Sequence, residues 1–380
     1  MSFLSRLQLH HFRCYDTARL EDLARGLIVL TGPNGAGKTN VLEAVSMLSP
    51  GRGLRGVPAL DIQRRDSTSP WTVFAEVDTG ASLARLGTGL DTKTQRRTVH
   101  VNGMPAKSQS ALSDYFACTW LTPQMDRLFI DGAGERRRFL DRLIFTFDPG
   151  HSGRSTRYEN AMRQRSKILQ EGGGDPAWLS SLEAQMAETG VAIAAARLDF
   201  IQRLQGACNR AGADEDRYFP KARITSGGTI EELLHHSPAV EVEELFAHQL
   251  HQSRDQDAQT GGAASGPHKS DLLVRYAGKD MPAAHCSTGE QKALLIGLIL
   301  AHSRLMAAER GAPPVLLLDE IVAHLDESRR AALFGLLQEL GGQVFMTGTD
   351  ASLFSAAPHQ TRFLRVEQAR ISTEKQGLAA

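Results

Sequence analysis

One eight-residue stretch, Gly32-Pro33-Asn34-Gly35-Ala36-Gly37-Lys38-Thr39, limits this chain more than any other, because it matches G-x-x-x-x-G-K-[ST] in full. The apolar run Gly26-Leu-Ile-Val-Leu-Thr31 precedes it, and Val41-Leu42-Glu43-Ala44-Val45, with helical apolar spacing, follows. A buried strand that turns through glycines into a helix gathers backbone N–H groups and the positive helix end around one point. Phosphates bind in that geometry. Lys38 is then placed to reach the β- and γ-phosphates, and Thr39 to offer its hydroxyl to Mg²⁺.

The flanking pattern is one of strands. Phe3 to His10, Val73 to Val77, Leu83 to Gly87, Arg97 to Val101 and Ala117 to Leu121 read as strands, with Asn102-Gly103 as a turn. From about Met125 to His251 the pattern is mostly helical, broken at 148–150 and at 171–176. Leu182, Met186, Thr189, Ile193, Ala196 and Phe200 alternate steps of four and three, a heptad-like seam. A helix over Trp178 to Cys208 spans roughly 45 Å at 1.5 Å per residue, and its expected partner is the basic helix around Tyr158 to Leu169. Ser253 to Gly266 reads as a polar linker back to the sheet. Thereafter Asp271 to Tyr276, Val315 to Leu318 and Gln343 to Met346 read as strands, and Gly289 to Arg310 and Glu327 to Leu340 as helices. Such alternation predicts a parallel α/β sheet. The expected division is 1–122 and 261–380 as the two parts of one sheet domain, with 123–260 as a helical insertion carrying a short hairpin arm.

A length of 380 residues allows about two domains. Hydrophobic content of 41% and charged content of 23% exclude wholesale disorder. The longest apolar run, Ala293 to Ala301, is far below the roughly 20 residues a bilayer span needs, and the first residues lack the apolar stretch of a secretory signal. Cys14, Cys118, Cys208 and Cys286 lie far apart, without zinc or disulfide spacing. The expectation is a reduced, cytoplasmic protein with no membrane partner. Lys+Arg and Asp+Glu balance at 43 each, but the charge is segregated. Gly134 to Gln170 carries +5, and Thr229 to Asp257 carries −6. Two solvated faces, or a functional basic surface, both fit that segregation.

Further motifs complete a constellation. Val315-Leu-Leu-Leu-Asp319-Glu320 is an apolar strand ending in two acids, which can place Asp319 near Mg²⁺ and Glu320 near the water attacking the γ-phosphate. Cys286-Ser287-Thr288-Gly289-Glu290-Gln291 reads alone as a helix cap. Phosphate loop, helical insertion, Ser-x-Gly-Glu helix, Asp-Glu strand and then Ala323-His324-Leu325-Asp326 is, however, the motif order of the ABC-type ATPases.

Four segments narrow this further. Leu9-His-His-Phe-Arg-Cys-Tyr15, Ser49-Pro-Gly-Arg-Gly-Leu-Arg55, Glu135-Arg-Arg-Arg-Phe-Leu-Asp141 and Gly266-Pro-His-Lys-Ser-Asp-Leu272 resemble hallmarks of the RecF family, bacterial DNA replication and repair ATPases related to the SMC and Rad50 heads. The resemblance covers essentially the whole length. It implies an ABC-type head with a mixed sheet, ATP on Gly32 to Thr39, Mg²⁺ at Thr39 and Asp319, and Glu320 as catalytic base. It also implies that Ser287 and Gly289 meet the γ-phosphate bound to a second subunit, with Asp326 in the loop that couples the two sites. Arg13 and Gln124 are further nucleotide-site candidates on the same ground. Departures are Thr288 and Cys286 in the signature, and Thr347 and Thr349 where other ABC proteins place a histidine. Expected partners are gapped or junction DNA, RecO and RecR, and a second copy of the chain held by ATP. An SMC- or Rad50-like head with a long coiled coil, or a transporter subunit, fits the insertion of about 125 residues poorly. A nucleotide-gated DNA scaffold with negligible hydrolysis is the other reading. Arginine (34) far outnumbers lysine (nine), either from codon bias or for bidentate phosphate contacts. Arg136, Arg137, Arg138, Arg154, Arg157, Arg163 and Arg165 are the local candidates for DNA.

Overall fold

A computed structural model describes residues 2–172 and 175–373. Gly173 and Gly174, inside the expected turn at 171–176, lie outside the described residues, as do the last residues of the expected sheet domain. The chain forms two compact units: 1–126 with 211–220 and 288–380, and 127–210 with 221–287.

The first unit begins with β1 (Phe3–Phe12), β2 (Tyr15–Leu20), β3 (Gly26–Thr31) and α1 (Lys38–Ser46), followed by β4 (Thr72–Asp78), β5 (Leu83–Leu90), β6 (Arg97–Val101), β7 (Met104–Pro105) and β8 (Cys118–Leu121). β2, absent from the sequence reading, pairs antiparallel with β1 through Phe12 and Tyr15. Its period-2 pattern is diluted by Asp16 and Thr17, which are exposed. β2, β1, β4, β5, β6 and β7 form one antiparallel sheet in that order.

The second unit holds α2 (Ala133–Phe145), α3 (Gly150–Gln170) and α4 (Pro176–Asn209). After α5 (Ala213–Tyr218), which belongs to the first unit, come β9 (Ala222–Gly227), α6 (Thr229–His236), α7 (Ala239–Gln252), α8 (Arg254–Thr260), β10 (Asp271–Tyr276) and β11 (Met281–Pro282). Here the expected boundaries move. The stretch read as a polar linker contains α8, whose Asp257 accepts from Arg165 Nη1 (2.8 Å), Ser253 Oγ (2.6 Å) and Ala264 N (3.0 Å). β10 does not rejoin the head's sheet; it pairs antiparallel with β9 inside the helical unit. Conversely, α5 joins the head through Glu215, which takes Arg304 Nη2 at 2.6 Å.

The first unit resumes with α9 (Thr288–Arg310), β12 (Val315–Leu318), α10 (Glu327–Leu340), β13 (Gln343–Gly348), β14 (Arg362–Glu367) and β15 (Arg370–Thr373). Its second sheet has the order β15-β14-β3-β13-β12-β8, parallel except for the edge strand β15. Both faces of β3, β12 and β13 are covered, which is why they read as unbroken apolar runs. Val41, Leu42, Ala44 and Val45 of α1 are wholly buried in a core that also takes inward residues of both sheets. Gln343 ties the layers together: its amide donates to the Leu4 and Ala24 carbonyls (2.8 and 2.9 Å) and accepts from Leu4 N (2.9 Å). No described helix is long and apolar enough to cross a membrane.

In the helical unit the seam residues Leu182, Met186, Thr189, Ile193 and Phe200 are buried and Ala196 half-buried, and α3 supplies Tyr158, Ala161, Ile168 and Leu169 to the same core. The basic and acidic blocks are not two separate faces. Arg165, fully buried, donates to Glu183 (2.9 Å), Asp257 (2.8 Å) and the Leu250 carbonyl (2.5 Å), while Arg254 also grips Glu183 (2.9 and 2.6 Å). A second network centres on Asp141, which accepts from His151 Nε2 (2.9 Å) and from Arg197 in a bidentate pair (2.9 and 2.8 Å).

Burial alone would raise the Asp141 carboxyl, but the His151 and Arg197 hydrogen bonds outweigh it and hold the group down to about 2. A depressed folded-state value contributes stability above the ordinary 3.8, which is lost as pH falls toward 2. Asp141→Asn should therefore destabilise the chain at pH 7 by about 3 kcal/mol, since it leaves Arg197 without its counter-charge. In urea unfolding, the gap to the parent should narrow between about pH 4 and pH 2. Equal stability of the two proteins at pH 7 would contradict this account.

Candidate nucleotide site

Parallel pairing sets the site. Leu318 lies opposite Met346, and Met346 opposite Val29, so β12, β13 and β3 deliver Asp319, Thr347 and the phosphate loop to one end of the sheet. The Asp319 N–H donates to the Leu121 carbonyl at 2.9 Å, which extends β12 one residue along β8.

The loop needs glycine at two places. Gly32 has φ 146°, and a Cβ there would lie 2.0 Å from the Val366 carbonyl oxygen. At Gly37 (φ 116°) a Cβ would lie 2.7 Å from the Tyr15 hydroxyl and 2.8 Å from Cys14 Sγ. Tyr15 also donates to the Gly37 carbonyl at 3.1 Å. Pro33, Asn34 and Gly35 are exposed, Ala36 is buried, and Lys38 starts α1. The Lys38 side chain is buried and folds back on the loop, donating to the Gly32 and Pro33 carbonyls at 2.7 and 3.0 Å. Burial lowers its pKa, against an opposing pull from Glu320 and Asp319.

Thr39 Oγ1 donates to both Asp319 oxygens, at 2.9 and 3.0 Å. Thr347 Oγ1 donates to Asp319 Oδ1 at 2.7 Å and accepts from the Glu320 N–H at 2.9 Å. Glu320 has φ 54°, a left-handed conformation that a side-chain-bearing residue adopts at a cost of about 1 kcal/mol. One buried hydroxyl thus fixes both acids. The sequence reading placed Thr347 where a histidine is missing and assigned it nothing; the missed signal is the parallel register that sets position 347 beside position 319.

A hydroxyl and a carboxylate are hard oxygen donors of the kind Mg²⁺ takes, with phosphate and water completing the shell. Thr39 and Asp319 fit that role. Among the described residues no group of three or more His, Cys, Asp and Glu side chains could hold a metal.

Arg13 and Gln124 stand differently. Arg13 (φ 55°) holds the buried Glu43 of α1 with Nε and Nη2 at 2.9 and 2.6 Å, and Nη1 donates to the Asp61 carbonyl at 2.5 Å. Arg55 reaches the same carboxylate at 2.8 Å and Asn40 Oδ1 at 2.9 Å. Arg13 is therefore engaged in bracing α1 one turn past Thr39, a role the sequence did not reveal. Gln124 is exposed on the short 3-10 turn Pro123–Arg127 beyond β8. Ser287, Thr288 and Gly289 are exposed at the start of α9, with Cys286 buried behind them. Ser287 ends the helical unit and Gly289 belongs to the head, where Arg329 Nη1 approaches its carbonyl at 3.4 Å. Asp326 caps α10, accepting from the Arg329 N–H at 2.8 Å.

Of the arginines proposed for DNA, two need correcting. Arg165 is buried in the network with Glu183 and Asp257 and cannot reach a ligand. Arg136 is taken by Asp271 in a bidentate pair (2.7 and 2.8 Å) and by backbone carbonyls. Arg154 pairs with Asp148, and Arg138 with Glu135. Arg137 donates to the Ser270 carbonyl at 2.6 Å, while Arg157 and Arg163 are exposed.

Thr347→Val keeps the shape of the side chain but strands the Glu320 N–H and removes a donor from Asp319. It should cost about 2 kcal/mol of stability, and Thr347→Ser markedly less. Equal denaturation midpoints for Val and Ser would show that the hydroxyl is not what holds the acids.

Comparison with known proteins gives the family. The family model "RecF/RecN/SMC N terminal domain" matches residues 3–373. The DNA replication and repair protein RecF of Rhizobium rhizogenes is 48% identical over 374 residues, covering 97% of this chain and 98% of that protein. RecF of Mesorhizobium japonicum is 47% identical, with 97% of each chain covered. Among solved structures, the recombination mediator protein RecF-ATPrS in the RecFOR pathway superposes with a TM-score of 0.85 at 22% identity, covering 98% of both chains. An Smc head domain from Pyrococcus furiosus, bound to the C-terminal domain of ScpA, gives 0.55 at 15% identity over 100% of this chain and 97% of that one. Family model, curated relatives and fold agree: the chain belongs to the RecF family of ABC-type, SMC-like heads.

Proposed function

We propose that this protein is a DNA-binding ATPase of recombinational repair and replication restart, with weak DNA-stimulated hydrolysis, whose heads dimerise around ATP on gapped or junction DNA. The observation that carries this is the meeting of Lys38, Thr39, Asp319 and Glu320 at one end of the parallel sheet, braced by Thr347. ATP takes the place of the loop carbonyls at Lys38, and the backbone N–H groups of 32–39 cradle its phosphates. Thr39 and Asp319 would hold Mg²⁺, which would offset the charge that builds on the phosphate chain. Glu320 accepts the proton of the attacking water. Its fixed left-handed backbone limits the directions in which the carboxylate can point.

Ser287 and Gly289, exposed at the start of α9, meet a γ-phosphate held by another copy, and Asp326 lies in the loop that passes the state of one site to the other. Slow hydrolysis then resets an ATP-held clamp, with RecO and RecR as partners in recombinase loading. A cytoplasmic location follows from that role. Hydrolysis, rather than a scaffold that only binds, is favoured by an intact and positioned Glu320.

Lys38→Ala should abolish tight ATP binding in a nucleotide titration, because the cation is lost while the backbone cradle stays; unchanged affinity contradicts the assignment. Glu320→Gln should bind ATP within about threefold of the parent, yet lose at least about a hundredfold in turnover and accumulate dimer. Turnover at the parental rate removes Glu320 from the mechanism. Ser287→Arg should bind ATP as a monomer and fail to dimerise. Mixed with Lys38→Ala, it should form at most one working composite site; ATP-driven dimerisation of Ser287→Arg alone would return Ser287 to a helix-capping role.

A further inference from the structure

The helical unit contains a solvent-open cavity of about 430 Å³, walled by Arg137, Arg138, Arg163, Arg197, Tyr158 and His268 among others. Its charges do not balance. Arg197 is neutralised by the bidentate pair with Asp141, and Arg138 makes a surface pair with Glu135 that contributes little. Arg137, half-buried, donates only to the neutral Ser270 carbonyl among the described residues. The two carboxylates near it, Asp141 and Asp271, are each held in bidentate pairs by other arginines. Burial, followed by the like charge of Arg197, pushes the Arg137 pKa down against the pull of Asp271 and Asp141. Arg163 stands exposed on α3 at the same cavity with no ion-pair partner among the described residues. Glu159 is the opposing charge on the lining.

The remaining wall is uncharged, and two of its side chains are held by hydrogen bonds. Tyr158 donates its hydroxyl to His268 Nδ1 at 2.7 Å, and His268 Nε2–H donates to the Ala263 carbonyl at 3.0 Å. Both ring nitrogens are thereby used, and burial keeps the imidazole neutral. Set against Glu159, Arg137 and Arg163 leave one surplus positive charge at the cavity. Two guanidinium forks facing one cavity match a tetrahedral oxyanion better than any uncharged ligand.

We propose that this cavity is a phosphoryl-binding site in which Arg137 and Arg163 hold an oxyanion, supplied either as free phosphate or by the backbone of a nucleic acid. The second source rests on the DNA-binding reading above; the first does not. The site differs from the phosphate loop, which lies in the other unit.

The test uses the full chain with Arg137→Gln and Arg163→Gln, each checked by thermal unfolding. Inorganic phosphate is titrated by ³¹P line broadening, and duplex DNA affinity is measured against NaCl concentration. Phosphate on the phosphate loop is common to all three proteins, so the variant-sensitive fraction is what counts. Either substitution should remove that fraction and make the slope of log affinity against log salt shallower by about 1. Loss of phosphate binding with unchanged slopes identifies free phosphate as the source. Shallower slopes without phosphate binding identify the nucleic-acid backbone. Unchanged phosphate binding and unchanged slopes in both variants overturn the proposal. If the parent does not bind duplex, the DNA reading fails and the phosphate titration alone decides the cavity. If Arg137→Gln does not fold, Arg163→Gln decides, because its exposed side chain carries no packing.

Discussion

The Asp319 carboxylate is the point on which the head depends. It is nearly buried, and hydroxyls from two separate elements, Thr39 of α1 and Thr347 of β13, donate to it. A buried acid without such donors would carry a large desolvation penalty. With them, it joins the phosphate loop to two neighbouring strands. Thr347 passes the constraint on, since the same oxygen accepts from the Glu320 N–H and steadies a left-handed residue. The Thr39–Asp319 hydrogen bonds therefore tie the start of α1 to the end of β12.

The helical unit is organised by charge as much as by apolar packing. Arg165 is enclosed with Glu183 and Asp257, and Arg197 with Asp141 and His151. Such pairs stabilise little over an apolar alternative, but they penalise mispacking strongly, because any slip leaves a charge buried alone. They also explain why the basic segment 134–170 offers fewer cations to a ligand than its composition suggests. Most of its arginines are already spent inside the unit, and Arg137, Arg157 and Arg163 make no ion pair among the described residues.

Much of this was legible in the sequence where local pattern and motif coincide. β3, β12 and α10 fall on the expected residues, because buried parallel strands are continuous apolar runs and Asp326 caps a helix closed by Gly341, and antiparallel β6 does so because the Asn102-Gly103 turn marks its end. What was not legible depends on long-range pairing. β10 reads as a strand, but nothing local says that its neighbour is β9 rather than the head's sheet. The polar residues of α8 suggest a linker until Asp257 is seen to be the buried partner of Arg165, 92 positions away. Likewise Arg13 shows no sign along the chain that Glu43 holds it, and Thr347 gains its meaning only from the register of β12 against β13.

Sedimentation velocity of the unmodified protein with ATP, with ADP and without nucleotide, each with and without duplex DNA, tests the central claim most directly. A nucleotide-gated clamp predicts a dimer with ATP alone, strengthened by duplex, and a smaller species under the other conditions. The same species under all nucleotide conditions, with DNA affinity indifferent to ATP, would contradict it.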